Sequence, residues 1–132
     1  FASPSKSRVR NLQSIGRVLR KSNKFGLEES KDALCHGNNS GYAAINIAYH
    51  LGVKRIILLG YDMGNVGKES HFHDGYPVNT TSATIYKDQF IPAFDLLKRD
   101  LNGSGIEILN ASPSSNLNAF KKITIEESLS LR

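Results

Sequence analysis

Apolar positions along this chain fall into two short unbroken runs and two helical stripes, separated by polar, glycine-rich connections. The clearest stretch runs from Gly37 to Asp62, GNNSGYAAINIAYHLGVKRIILLGYD. A polar turn at its start is followed by Ala44, Ile47, Ala48 and Leu51, spaced i, i+3, i+4 and i+7. That spacing predicts an amphipathic helix with this face packed on a sheet. Asn39 or Ser40 suits the N-cap, where a short oxygen-bearing side chain accepts from an amide of the first turn. Gly52 suits the left-handed position at the other end. The run Ile56-Ile57-Leu58-Leu59 does not alternate, and after a helix such a run predicts an interior parallel strand covered on both faces. Gly60-Tyr61-Asp62 then lies at that strand's carboxyl end, where open α/β sheets bind ligands.

The flanking segments carry weaker patterns. Ser14–Ser22 is compatible with an edge strand or a short helix, and periodicity does not choose between them. Leu27–Leu34 (LEESKDAL) predicts one or two helical turns. Met63–Ser82 reads as a long polar loop, and a loop of that length in a compact domain is commonly functional or disordered. From about Ala83, the positions Tyr86, Phe90, Phe94, Leu97 and Leu101 form one apolar stripe of a second helix. Pro92 interrupts it and predicts a kink or break near Asp88–Ile91. Asn102-Gly103-Ser104-Gly105 stops the helix, and Ile106–Leu109 predicts a second short strand with Asn110 at its carboxyl end. Ala111–Asn118 is a Ser/Pro/Asn loop. Ile123–Leu131 predicts a terminal helix, with Thr124 and Glu127 placed as a capping box.

Helix, strand, helix and strand in succession define an α/β class with a mostly parallel sheet. The 132 residues amount to one domain. One good helix and two good strands are few for such a sheet, so part of it is expected from sequence upstream of Phe1. The longest apolar run is far too short to span a membrane, and no secretory leader pattern is visible. The single cysteine, Cys35, rules out an internal disulfide framework and fits a reducing compartment.

Charge changes the picture at one end only. Residues 1–26 carry seven basic side chains and no acid, while the remainder, with ten basic and twelve acidic residues, is near neutral. The chain therefore divides into a basic arm, 1–26, and an α/β domain, 27–132. Such an arm can bind nucleic acid or another polyanion. It lacks the interleaved aromatics that stack bases, and the competing reading is a solvated leader.

Three groups can carry chemistry. Gly37, Asn38, Asn39, Ser40 and Gly41 open a helix, whose unpaired amides suit a phosphate or carboxylate. The segment is neither a P-loop nor the GxGxxG dinucleotide fingerprint. Asp62 could hold a ribose hydroxyl, a metal or a basic group. His71 and His73, beside Asp74, offer a general acid or base near neutral pH. HxH without a third-ligand motif is a weak metal signal, so no metal is expected. If the two strands are parallel neighbours, Asn110, Ser112, Ser114 and Ser115 belong to the same rim as Asp62, although Ser/Pro/Asn loops are also common simple turns.

The segments GNNSGYAAINIAYHLGVKRIILLGYDMG, HFHDG and GIEILNASPSSNLNAFKKITIEESL resemble a set of phage and bacterial Rossmann-like proteins. These are distantly similar to the family 42 bacterial sialyltransferases and to the archaeal 6-hydroxymethylpterin diphosphokinase-like domain. The resemblance spans about residues 37–129 and implies a Rossmann-like three-layer domain. It also implies a nucleotide or nucleotide-sugar donor held at Asn39, Ser40 and Gly41, with Asp62 on the rim and His71 or His73 as the base for an acceptor hydroxyl. The tyrosine pair of the sialyltransferases has only Tyr76 and Tyr86 as candidates here. A glycosyltransferase-like enzyme of the cytoplasm, the host cytoplasm if phage-encoded, is the expectation. The alternatives are a non-catalytic phage accessory protein that uses its basic arm to bind a partner or nucleic acid, and a metal-dependent phosphohydrolase or pyrophosphotransferase built on Asp62, His71 and Asp74.

Overall fold

The computed structural model describes residues 20–21, 26–64 and 83–131. His71, His73, Asp74, Tyr76 and most of the basic arm lie outside the described residues. Within them the chain runs β1 (Arg20–Lys21), β2 (Ala33–Leu34), α1 (Ser40–His50), β3 (Arg55–Leu58), α2 (Ala83–Ile85), a π-helical turn (Tyr86–Phe90), α3 (Ile91–Leu101), β4 (Glu107–Asn110), β5 (Lys121–Lys122) and α4 (Ile125–Ser130). The order β3-β4-β5 makes a three-stranded sheet, and β1 pairs with β2 separately. Every pairing is parallel. The class is mixed α/β, with a small parallel sheet.

Helix α1 begins as its sequence dictates. Asn39 is the N-cap in extended backbone, and its side chain accepts from the Tyr42 amide at 2.8 Å. Gly52 follows the last turn with φ +73°. The face that packs, however, is not the aliphatic one. Tyr42, Ile45 and Asn46 are buried, whereas Ile47 is 39% exposed and Leu51 75% exposed. The pattern Tyr42, Ile45, Asn46, Tyr49 repeats at i, i+3, i+4 and i+7 as well as the aliphatic set does. Its polar atoms find partners. The Tyr42 hydroxyl accepts from Gly26 N (2.8 Å) and donates to Gly26 O (2.6 Å). Asn46 accepts from Cys35 N (2.8 Å) and donates to Glu28 O (3.1 Å). Hydrogen bonding converts an apparently polar stripe into the buried one, because a satisfied amide or phenol can be desolvated at little net cost.

Strand β3 pairs with β4 in the register Ile56↔Ile108 and Leu58↔Asn110. Leu58 and Ile108 enter the core with Tyr42, Ile45, Phe94, Leu97, Leu101, Leu117 and Phe120. Side chains alternate across a strand, so Ile57 and Leu59 occupy the other face. They are 36% and 61% exposed. The expected coverage on both faces is therefore not met among the described residues: β3 is half-buried and, within that set, lies at the end of the strand order.

The long helical segment carries the expected stripe, with Ala93, Phe94, Leu97 and Leu101 buried. Pro92 acts as anticipated, but by a specific route. It has no N–H for a carbonyl one turn back, and its ring would press on that carbonyl in a regular helix. The chain widens instead, and the Ile91 amide bonds to Tyr86 O, five residues back. The turn Tyr86–Phe90 is π-helical, and α3 starts with the proline in its first positions. Tyr86 and Phe90 meet edge to face at 5.6 Å.

One smaller expectation fails, and one strand has no sequence signal. Leu27–Leu34 forms no helix: Ala33–Leu34 is β2, and Leu27–Ser30 is a strap clasped from both sides, with Gly26 on Tyr42 and the Leu27 amide on Asp100 Oδ2 at 3.0 Å. Strand β5 has no counterpart in the pattern, because Lys121-Lys122 carries no apolar signal and pairs through backbone alone. The terminal helix is as read: Thr124 Oγ1 accepts from Glu127 N at 3.0 Å, and Glu127 Oε2 accepts from Thr124 N at 2.7 Å.

Candidate functional site

The candidate site is the carboxyl edge of the sheet, where β3 and β4 both end and α1 begins. Its geometry rests on Tyr61. The Tyr61 amide donates to Ser112 Oγ at 2.9 Å, and Ser115 Oγ donates to the Tyr61 carbonyl at 2.5 Å. Both backbone groups of one residue are thus held by the loop after β4. The Tyr61 hydroxyl reaches the other way and donates to Gly41 O at 2.9 Å. The ring lies against the Gly41 backbone, and a β-carbon at Gly41 would sit 2.8 Å from Tyr61 Cε1. Glycine is required at position 41 for this close approach, rather than for an unusual φ. Burial raises the Tyr61 pKa, which keeps the proton that this bond uses.

Behind Tyr61 lies a fully satisfied polar cluster. Asn110 Nδ2 donates to Ser115 Oγ (3.0 Å) and Leu117 O (3.3 Å), while Asn110 Oδ1 accepts from Ser112 N (3.0 Å). Ser115 Oγ also accepts from Leu117 N, and Lys122 Nζ donates to Ser115 O at 2.6 Å. Asn110, Ser112 and Ser115 are all buried. Asn110 and Ser112 therefore stand behind the rim, with their side-chain bonds committed to shaping it. Ser115 belongs to the loop that the sequence places on the rim, whereas Asn116 and Lys122 are the members that its pattern does not select. A Ser/Asn-rich loop directly after a strand is their only trace in the sequence.

Asp62 comes next. Its carbonyl accepts from Asn116 N at 2.8 Å, and the Asn116 side chain donates to Met63 O at 3.3 Å. The half-buried Asp62 carboxylate makes no hydrogen bond or ion pair among the described residues. A β-carbon at Gly64 would lie 2.7 Å from Asn116 Nδ2, so this corner is tightly packed.

The α1 entry forms the opposite lip. Gly37 is buried with φ +52°, and its backbone rests on the Tyr42 ring. Asn38 is exposed at φ +59°, with its amide donating to His36 Nδ1 at 3.0 Å. The Asn39 side chain is committed to the cap and to Gly37 O. Ser40, the first helical residue, is exposed. Among the described residues only Asn38 and Met63 are non-glycine residues at positive φ. One stands on each lip. Such conformations cost of order 1 kcal/mol or more and gather at functional sites.

Of the sequence-derived candidates, the structure brings Gly37, Asn38, Asn39, Ser40, Gly41 and Asp62 to one edge, with Asn110 and Ser112 beneath it. His71 and His73 fall outside the described residues. His50 is half-buried, in the last turn of α1 away from this edge, and its buried Nε2 has no hydrogen-bond partner among the described residues. Cys35 is buried in the core. No group of three or more His, Cys, Asp or Glu suited to a metal occurs among the described residues, and no helix among them is long and apolar enough to cross a membrane.

Comparisons with protein-family models, with curated proteins and with solved structures find no match to this chain.

Proposed function

We propose that the carboxyl edge of the sheet binds a nucleotide, and that the protein is a glycosyltransferase-like (sialyltransferase-like) enzyme on a Rossmann-like scaffold. The observation that carries this reading is the contact between Tyr61 Oη and Gly41 O. It joins the amino end of α1 to the exit of β3, so the Ser40 and Gly41 amides of the first turn share one edge with the Asp62 carboxylate, which has no partner among the described residues. Amides at a helix start favour a phosphate. A carboxylate nearby can accept from sugar or ribose hydroxyls. On this reading His71 or His73 takes the proton from the acceptor hydroxyl, and the first-turn amides with Ser40 steady the departing nucleotide phosphate.

The test is thermal shift and calorimetric titration of the full chain with cytidine and uridine monophosphates and with their sugar-linked forms. Saturable binding that weakens in Asp62→Ala supports the reading. Absence of binding to every nucleotide, together with salt-sensitive DNA binding lost on deleting residues 1–26, would sink it in favour of a non-catalytic accessory protein.

A further inference from the structure

We draw no further inference here: the strongest candidate, the outward apolar sheet face carrying Ile57 and Leu59 at β3, is a surface without a partner among the described residues, and nothing in the structure shows what covers it.

Discussion

The backbone amide of Asn116 donates to the carbonyl of Asp62 at 2.8 Å, and this bond ties the loop after β4 to the residue that follows β3. Two strand exits that are 54 residues apart at Asp62 and Asn116 are thereby made into one rigid corner. The corner holds Asp62 by its main chain, and its carboxylate has no partner among the described residues.

If that carboxylate serves a ligand rather than the fold, Asp62→Ala will separate affinity from stability. Nucleotide affinity is expected to fall about tenfold, which corresponds to about 1.4 kcal/mol. The melting temperature should change little, since the side chain has no partner among the described residues to lose. Equal affinity of the two proteins in calorimetry would refute the assignment.

Ser115→Ala is expected to behave in the opposite way. Its hydroxyl bonds Tyr61 O, Asn110 Nδ2 and Leu117 N from a buried position. Removing it strands several buried partners, at about 1–3 kcal/mol, or roughly 4–12 °C in melting temperature for a domain of this size. A melting curve that overlays the wild-type one would show that the cluster behind the rim is not a structural joint.

The phase of α1 can be read directly by truncation. Ile45→Ala empties a core position that is 1% exposed and should cost about 2–4 kcal/mol. Ile47→Ala, two residues on, removes an exposed side chain and should lie within about 0.5 kcal/mol of wild type. Chemical denaturation of the two variants measures both. Reversed magnitudes would mean that the aliphatic stripe is the packed one after all.

Gly41→Ala tests the close approach at the lip. The added carbon meets the Tyr61 ring, so the ring must move and its bond to Gly41 O is expected to break. The variant should melt lower than wild type, and Tyr61→Phe in the same background should cost less than it does alone. Strict additivity of the two changes would show that they do not meet.

Stability should also respond to pH in a defined direction. Burial pushes the Tyr42 hydroxyl up from 10.0 to about 12, against a smaller lowering by its backbone bond to Gly26. The folded state thus keeps a proton that the unfolded chain releases first. This contribution is complete below the ordinary tyrosine value and is lost as pH rises through about 12. At the acid end, the Leu27 amide lowers the Asp100 pKa most, partly opposed by desolvation, with Arg99 assisting. That contribution is present above the ordinary aspartate value and fades as pH falls below it. Melting temperatures across alkaline pH should drop less steeply in Tyr42→Phe than in wild type; an unchanged slope would exclude Tyr42 as the source.

What the sequence by itself determined is the local chemistry. Asn39 as a cap, Gly52 as a stop, the apolar stripe through Phe94 and Leu101, the break before Pro92 and the Thr124/Glu127 box each depend on a few neighbouring residues and on backbone rules that hold anywhere. The parallel pairing of the two apolar strands fits the sequence pattern too, because the connection between them is long and includes the helical segment 83–101. What only the tertiary structure decided is which groups are worth burying. The Ala44–Leu51 face has the stronger apolar pattern, yet Tyr42 and Asn46 are the residues buried, since distant Gly26, Glu28 and Cys35 supply their partners. Strand β5 exists because β4 offers it a backbone edge, which two lysines do not announce. The same reason governs the candidate site. Asp62 could be placed at a strand end from spacing alone, but the loop that holds it and the helix start beside it meet only when Tyr61 bridges them.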